Sequence, residues 1–159
     1  MLKWLLLFSL LLGGCVTTYE PPKNKSQPTV RVDMKKIKRL MFFEEGKDCS
    51  QAVTLHAPYN PYVDDALPLP VRANKLLAFQ LTYTKYKQAC EAIISFYPRL
   101  HHNYVIYNKV KFDQRNSMSC KFKVIRKNRA DKSGRWQDEA TLEFRKPVKT
   151  VKADARHCR

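Results

Sequence analysis

The sequence predicts an all-β fold, a disulfide-bonded β-sandwich standing behind a short leader and a flexible tether. Two observations carry that class: apolar residues recur at every second position in short runs, and turn chemistry parts those runs about every eight to fifteen residues. A third is negative. No long stretch has a 3.6-residue apolar period with caps, and no internal repeat is present.

The elements follow in order. Val30, Val32 and Met34 alternate with Arg31, Asp33 and Lys35, as a strand with one face buried requires. After the basic run Lys35 to Arg39, the apolar Leu40 to Phe43 predicts a second strand, closed by the turn Glu44 to Asp48. Gln51 to His56 reads as a short, weak strand. Ala57 to Pro70 carries four prolines with Asn60, Asp64 and Asp65, so it reads as a loop or edge segment, because proline cannot donate to a ladder. Leu77, Phe79, Leu81 and Tyr83 then share one face, and Cys90, Ala92, Ile94 and Phe96 form the next such row, although propensity also allows a short helix over 88–96. Pro98 to Asn103 is a turn, Tyr104 to Phe112 a strand and Asp113 to Ser117 a turn. Met118, Cys120, Phe122 and Val124 share a face, opposite Lys121, Lys123 and Ile125. Asp131-Lys132-Ser133-Gly134 is a turn, and Ala140, Leu142 and Phe144 mark the last expected strand.

Ahead of this pattern, Lys3 precedes the apolar stretch Trp4 to Leu12, which runs into Gly13-Gly14-Cys15. An apolar run of about nine residues is too short to span a bilayer, which takes roughly 20. The run Leu12-Gly13-Gly14-Cys15 resembles a bacterial lipoprotein signal: a positive start, an apolar middle and small residues at the processing point. The resemblance implies that residues 1–14 are a signal peptide and that Cys15 is diacylated on sulfur and then acylated on its new amino group. Each buried methylene adds about 0.8 kcal/mol, and two or more chains make attachment stable. Val16 stands where some proteobacterial lipoproteins carry an Asp that retains them in the inner membrane, so the expected address is the outer membrane, facing the periplasm. Residues 15–28 hold three prolines, no glycine beyond the leader and few large apolar groups, and read as the tether. At roughly 3.1 Å per residue, an extended thirteen-residue linker reaches up to about 40 Å. The sandwich domain is expected over 29–159.

Removing residues 1–14 leaves 145 of 159, enough for one domain. The mature chain keeps 29 basic against 14 acidic residues, because Lys3 leaves with the signal, and acylation removes the terminal charge. Such a surface favours anionic neighbours. For an exported, lipid-anchored chain these are headgroups, anionic envelope polymers and envelope proteins; no nucleic acid is expected, and no small-molecule substrate or cofactor motif stands out.

With Cys15 assigned to lipid, Cys49, Cys90, Cys120 and Cys158 remain, an even number in an exported chain and without the C-x-x-C spacing of zinc sites. Three connectivities are open. If the Cys90 and Cys120 strands flank the Tyr104 strand in one sheet, the cysteines stand about 10 Å apart, beyond bonding reach. If the chain crosses between sheets, they face each other across the core, and Cys49 is left for Cys158, which is the pairing expected.

The segment Val71 to Leu76, Cys90, Phe96-Tyr97-Pro98 with Tyr104 six residues on, and Cys120-Lys121-Phe122-Lys123-Val124 resembles a pattern of small, poorly characterised bacterial envelope lipoproteins. It covers about sixty residues, implies a β-rich lipoprotein and carries over no catalytic residue. In that pattern a glycine usually sits between the proline and the tyrosine, where this chain has His101-His102-Asn103.

No catalytic motif is evident. His101-His102 offers imidazoles, but adjacent side chains on extended backbone point opposite ways, which favours surface turn histidines over a metal site. His56 and His157 are isolated, and Asn60, Asp64 and Asp65 lack calcium-loop spacing. The basic stretch is more informative. Arg99 to Arg135 holds eleven Lys or Arg and two acids, an excess of nine positive charges. Lys109 and Lys111 share a strand face with Tyr107, and Lys121 and Lys123 share another; with Arg126 and Lys127 they are the candidate anion-binding residues. The expected function is a non-enzymatic binding or scaffold module in the envelope. The alternatives are an accessory lipoprotein of a secretion, pilus or conjugation machine and an enzyme acting on cell wall or lipid.

Overall fold

The computed structural model describes residues 19–33, 37–56, 68–85, 88–112, 118–148 and 158. The leader, Cys15 and the Asn60, Asp64 and Asp65 loop lie outside them. The described residues form ten strands: β1 Thr29–Val32, β2 Arg39–Glu45, β3 Ser50–His56, β4 Leu69–Pro70, β5 Leu77–Lys85, β6 Gln88–Phe96, β7 His102–Phe112, β8 Met118–Asn128, β9 Gln137–Asp138 and β10 Glu143–Arg145. They make two five-stranded sheets, β4-β1-β7-β8-β9 and β10-β6-β5-β2-β3. The fold is therefore the all-β, disulfide-bonded sandwich that the alternation predicts. Among the described strands every pairing is antiparallel except one: β1 runs parallel to β7, with Val30 opposite Tyr104 and Val32 opposite Ile106.

The alternating residues converge on the space between the sheets. Val30, Val32, Leu40, Phe42, Leu77, Phe79, Leu81, Ile94, Phe96, Tyr104, Ile106, Phe122 and Val124 all belong to one buried cluster. Along its middle runs a relay of rings. Phe42 and Phe79 are cross-strand partners with centroids 5.1 Å apart, Phe79 stacks on Phe96 at 6.0 Å, and Phe96 meets Tyr104 of the opposite sheet at 5.2 Å. Such pairs add about 0.5–1.5 kcal/mol each beyond the area they bury.

β2 is apolar on both faces, and both are buried. Leu40 and Phe42 point into the main core, while Met41 and Phe43 join Ala78, Ile93, Cys49 and Cys158 in a second cluster on the outer side of the sheet. That is why Leu40 to Phe43 reads as a continuous apolar run. The turn after β2 needs Gly46, whose N–H donates to the Leu76 carbonyl at 3.0 Å; a Cβ there would stand 2.7 Å from the same oxygen.

The two disulfides bind different parts of this frame. Cys90 of β6 bonds Cys120 of β8, with Cα atoms 6.2 Å apart, so the bridge joins the two sheets. The chain crosses between sheets at the turn after β6, which removes the one-sheet arrangement that would have kept these cysteines apart. Cys49 bonds Cys158 across 109 residues, with Cα atoms 5.3 Å apart.

Two expectations need correction. Residues 19–28, read as part of a free tether, lie along the domain. The Tyr19 ring meets Phe42 edge-on at 4.9 Å and its hydroxyl donates to the Pro70 carbonyl at 2.7 Å, so Tyr19, ahead of the expected domain start at Thr29, already packs against the sandwich. The last strand is also shorter than predicted. Glu139 is buried and its Oε1 accepts from the Thr141 N–H and hydroxyl, while the Leu142 N–H donates to the Glu139 carbonyl, so 139–142 turns and β10 begins only at Glu143. Phe144 pairs with Ile94 at the sheet edge and is 61 % exposed.

Candidate anion-binding face

The β7–β8 hairpin fixes where the basic residues stand. Its register places Lys109 directly opposite Lys121, Tyr107 opposite Lys123, Val105 opposite Ile125, and Lys111 opposite Ser119. Because Tyr104, Ile106, Phe122 and Val124 point into the core, the alternate positions point out. Tyr107, Lys109, Lys121, Lys123 and Ile125 then line one shallow cavity of about 580 Å³, together with Phe122 and Asp138 from neighbouring β9. Two separate sequence runs thus become a single surface.

The charge on that surface is unbalanced. Three lysines line the cavity against one aspartate, and Asp138 Oδ1 lies 2.7 Å from Lys123 Nζ. Among the described residues no carboxylate pairs with Lys109 or Lys121. Like charges directly opposite on an antiparallel pair destabilise it, since their Cβ atoms stand about 4.5–5.5 Å apart. The half-exposed Tyr107 ring and the Ile125 side chain supply an apolar floor beside the amines. Ammonium donors above an aromatic ring can hold phosphate or carboxylate groups carried on a sugar or peptide.

The remaining candidates fall elsewhere. Lys111 continues the face beyond the cavity toward the hairpin tip, and Lys127 lies at the opposite end of β8, across from Asn103. Arg126 is not part of the face. It points inward with Tyr104, its cross-strand partner, and its Nη1 lies 3.5 Å from Oε2 of buried Glu139. Neither atom has a hydrogen bond within the protein, so this is an ion pair without close hydrogen-bond geometry. Arg126 therefore offsets an internal carboxylate rather than an external anion. Burial pushes the Tyr104 hydroxyl above its ordinary pKa, and the Arg99 N–H, donating to that oxygen at 2.8 Å, opposes the shift. Sequence reading missed Glu139. Its signal is the spacing Glu139-x-Thr141, in which a carboxylate caps an N–H two residues on.

His101 and His102 occupy the turn before β7. His101 adopts φ 59°, the left-handed region that favours glycine. His102 Nδ1 donates to the Leu100 carbonyl at 2.7 Å. Among the described residues no three His, Cys, Asp or Glu side chains group as metal ligands do. No protein-family model matches the chain, and neither a curated protein nor a solved structure matches it.

Proposed function

We propose that this protein is a lipid-anchored lipoprotein of the bacterial envelope, attached through Cys15 and facing the periplasm from the outer membrane. Its sandwich acts as a non-catalytic binding module for anionic envelope polymers or acidic partner proteins. The observation that carries the binding role is the opposed pair Lys109 and Lys121, which meets no carboxylate among the described residues and lies over a cavity with Tyr107. An uncompensated like-charge pair costs the fold stability, and an external anion would offset that cost. The lipid anchor rests on the sequence Leu12-Gly13-Gly14-Cys15.

A second reading, docking to a larger envelope machine, is favoured by the exposed aromatic Tyr107 on β7 among the lysines. Partner surfaces of that kind carry aromatic anchors within a polar rim.

The test replaces Lys109, Lys111, Lys121 and Lys123 with Gln. Binding to lipopolysaccharide, cell-wall fragments and anionic vesicles is compared in low and physiological salt, where exposed charges are screened over about 8 Å. The wild type should bind and lose affinity as salt rises, and the variant should bind weakly at both. Equal binding by the two proteins removes the lysines from any recognition role.

A further inference from the structure

We propose that residues 19–28 are a latched strap that holds the Tyr19 end of the sandwich against the lipid surface carrying Cys15. The inference rests on the lipidation reading above and is separate from the basic face. Lys109 lies six residues along β7 from Asn103, about 20 Å at roughly 3.4 Å per residue, and Asn103 is where β7 meets the start of β1.

The strap is fastened at both ends, at Tyr19 and over Lys25 to Gln27. Tyr19 is held by Phe42 and the Pro70 carbonyl, and burial with the nearby Glu44 carboxylate pushes its hydroxyl up to about 12, so the neutral donor persists at physiological pH. The Arg129 guanidinium then clasps three successive carbonyls. Nη1 donates to Lys25 O at 2.9 Å, and Nη2 to Ser26 O and Gln27 O, both at 2.7 Å. The His101 N–H adds a bond to Ser26 O at 3.0 Å, and Gln27 Oε1 accepts from the Ala73 N–H at 2.8 Å. A planar fork with five donors is suited to gathering several acceptors at once, and charge-assisted bonds are the stronger kind.

The consequence is geometric. A free linker from Cys15 to Pro28 would let the domain stand about 40 Å from its acyl chains. With the strap fastened, only four residue steps separate Cys15 from Tyr19, and an extended chain spans at most about 3.6 Å per residue. Tyr19 is thereby kept within about 15 Å of the anchored cysteine. That places one end of the sandwich at the phospholipid headgroups, and the domain does not reach across the periplasm on a long tether.

The experiment uses the full lipidated protein in phosphatidylethanolamine and phosphatidylglycerol vesicles bearing a dansyl-lipid acceptor, with Trp136 as donor, since Trp4 leaves with the signal. Wild type is compared with a variant carrying a Gly-Ser spacer between Thr18 and Tyr19, and with the double variant Tyr19→Ala, Arg129→Gln. Energy transfer should be highest in wild type, fall at least about twofold with the spacer, and fall part of the way in the double variant. Endoproteinase Lys-C should free the domain from vesicles by cutting after Lys23 or Lys25 about tenfold faster in the double variant than in wild type. Equal transfer by wild type and spacer variant, or equal release by wild type and double variant, overturns the strap. The spacer leaves every strap contact in place, so it reports even where the double variant fails to fold. An unlipidated Cys15, read from the mass of the amino-terminal peptide, overturns the lipoprotein reading instead; the rates of Lys-C cleavage after Lys23 and Lys25, followed by mass on the soluble wild type and double variant, then stand for or against the latch, equal rates overturning it.

Discussion

Phe96 of one sheet and Tyr104 of the other bring their ring centroids to 5.2 Å, and both side chains are fully buried. Only seven residues separate them in sequence, in a turn that carries the chain from sheet to sheet. The turn is held by this ring contact, by Arg99 N–H donating to Tyr104 Oη, and by Asn74 N–H donating to the Pro98 carbonyl. Phe96→Ala should therefore cost about 3–5 kcal/mol, the range for a buried aromatic that leaves a cavity. Denaturant unfolding followed by circular dichroism reads it, and a loss below about 1 kcal/mol would mean that the ring relay is not central to the core.

The two disulfides should contribute unequally. In the chain-entropy account, closing the 109-residue loop of Cys49–Cys158 stabilises by about 4.8 kcal/mol, and closing the 30-residue loop of Cys90–Cys120 by roughly 3.6 kcal/mol. The longer bridge also sits in the second apolar cluster with Phe43 and Ile93. The double variant Cys49→Ala, Cys158→Ala should lower the thermal midpoint more than Cys90→Ala, Cys120→Ala does. A reversed order, with both variants folded, would count against the entropic argument.

Much of this fold is written in the alternation of Leu77, Phe79, Leu81 and Tyr83 or of Phe122 and Val124, because a strand with one buried face imposes a period of two on side-chain chemistry. The shared basic face of Lys109 and Lys121 follows from that parity once the hairpin register is known, and only the fold supplies the register. The strap was illegible for a different reason. Arg129 recognises the carbonyls of Lys25, Ser26 and Gln27, and backbone acceptors leave no mark on the side-chain pattern, so a proline-biased segment bound by them reads as a linker. Arg126 looked like its neighbours Lys123 and Lys127 because nothing local announces that Glu139 waits inside the sandwich.

His101 holds a left-handed backbone conformation at φ 59° while its N–H and carbonyl bond Ser26 and Arg129. A Cβ in that region costs roughly 1 kcal/mol that glycine escapes. His101→Gly should leave stability level or raise it by up to about 1 kcal/mol, since the greater freedom of the unfolded glycine offsets part of the gain. His101→Val, β-branched and intolerant of positive φ, should destabilise by more. Thermal midpoints of the two variants decide the matter; a clear loss with glycine would show that the imidazole itself holds the turn.

Lys109 and Lys121 set stability against binding. As directly opposed like charges on an exposed antiparallel pair they should weaken the hairpin, and turning one into a carboxylate converts repulsion into attraction worth roughly 0.2–1 kcal/mol. Lys121→Glu should therefore raise the thermal midpoint slightly in low salt, with the gain fading as salt screens the pair. The same change puts a second carboxylate in the cavity beside Asp138 and leaves Lys109 neutralised, so binding of an anionic polymer should fall further than with Lys121→Gln. A protein that is more stable yet binds less is the outcome expected of a surface kept basic for recognition. A variant that gains stability and keeps full binding would assign the lysines to solubility alone.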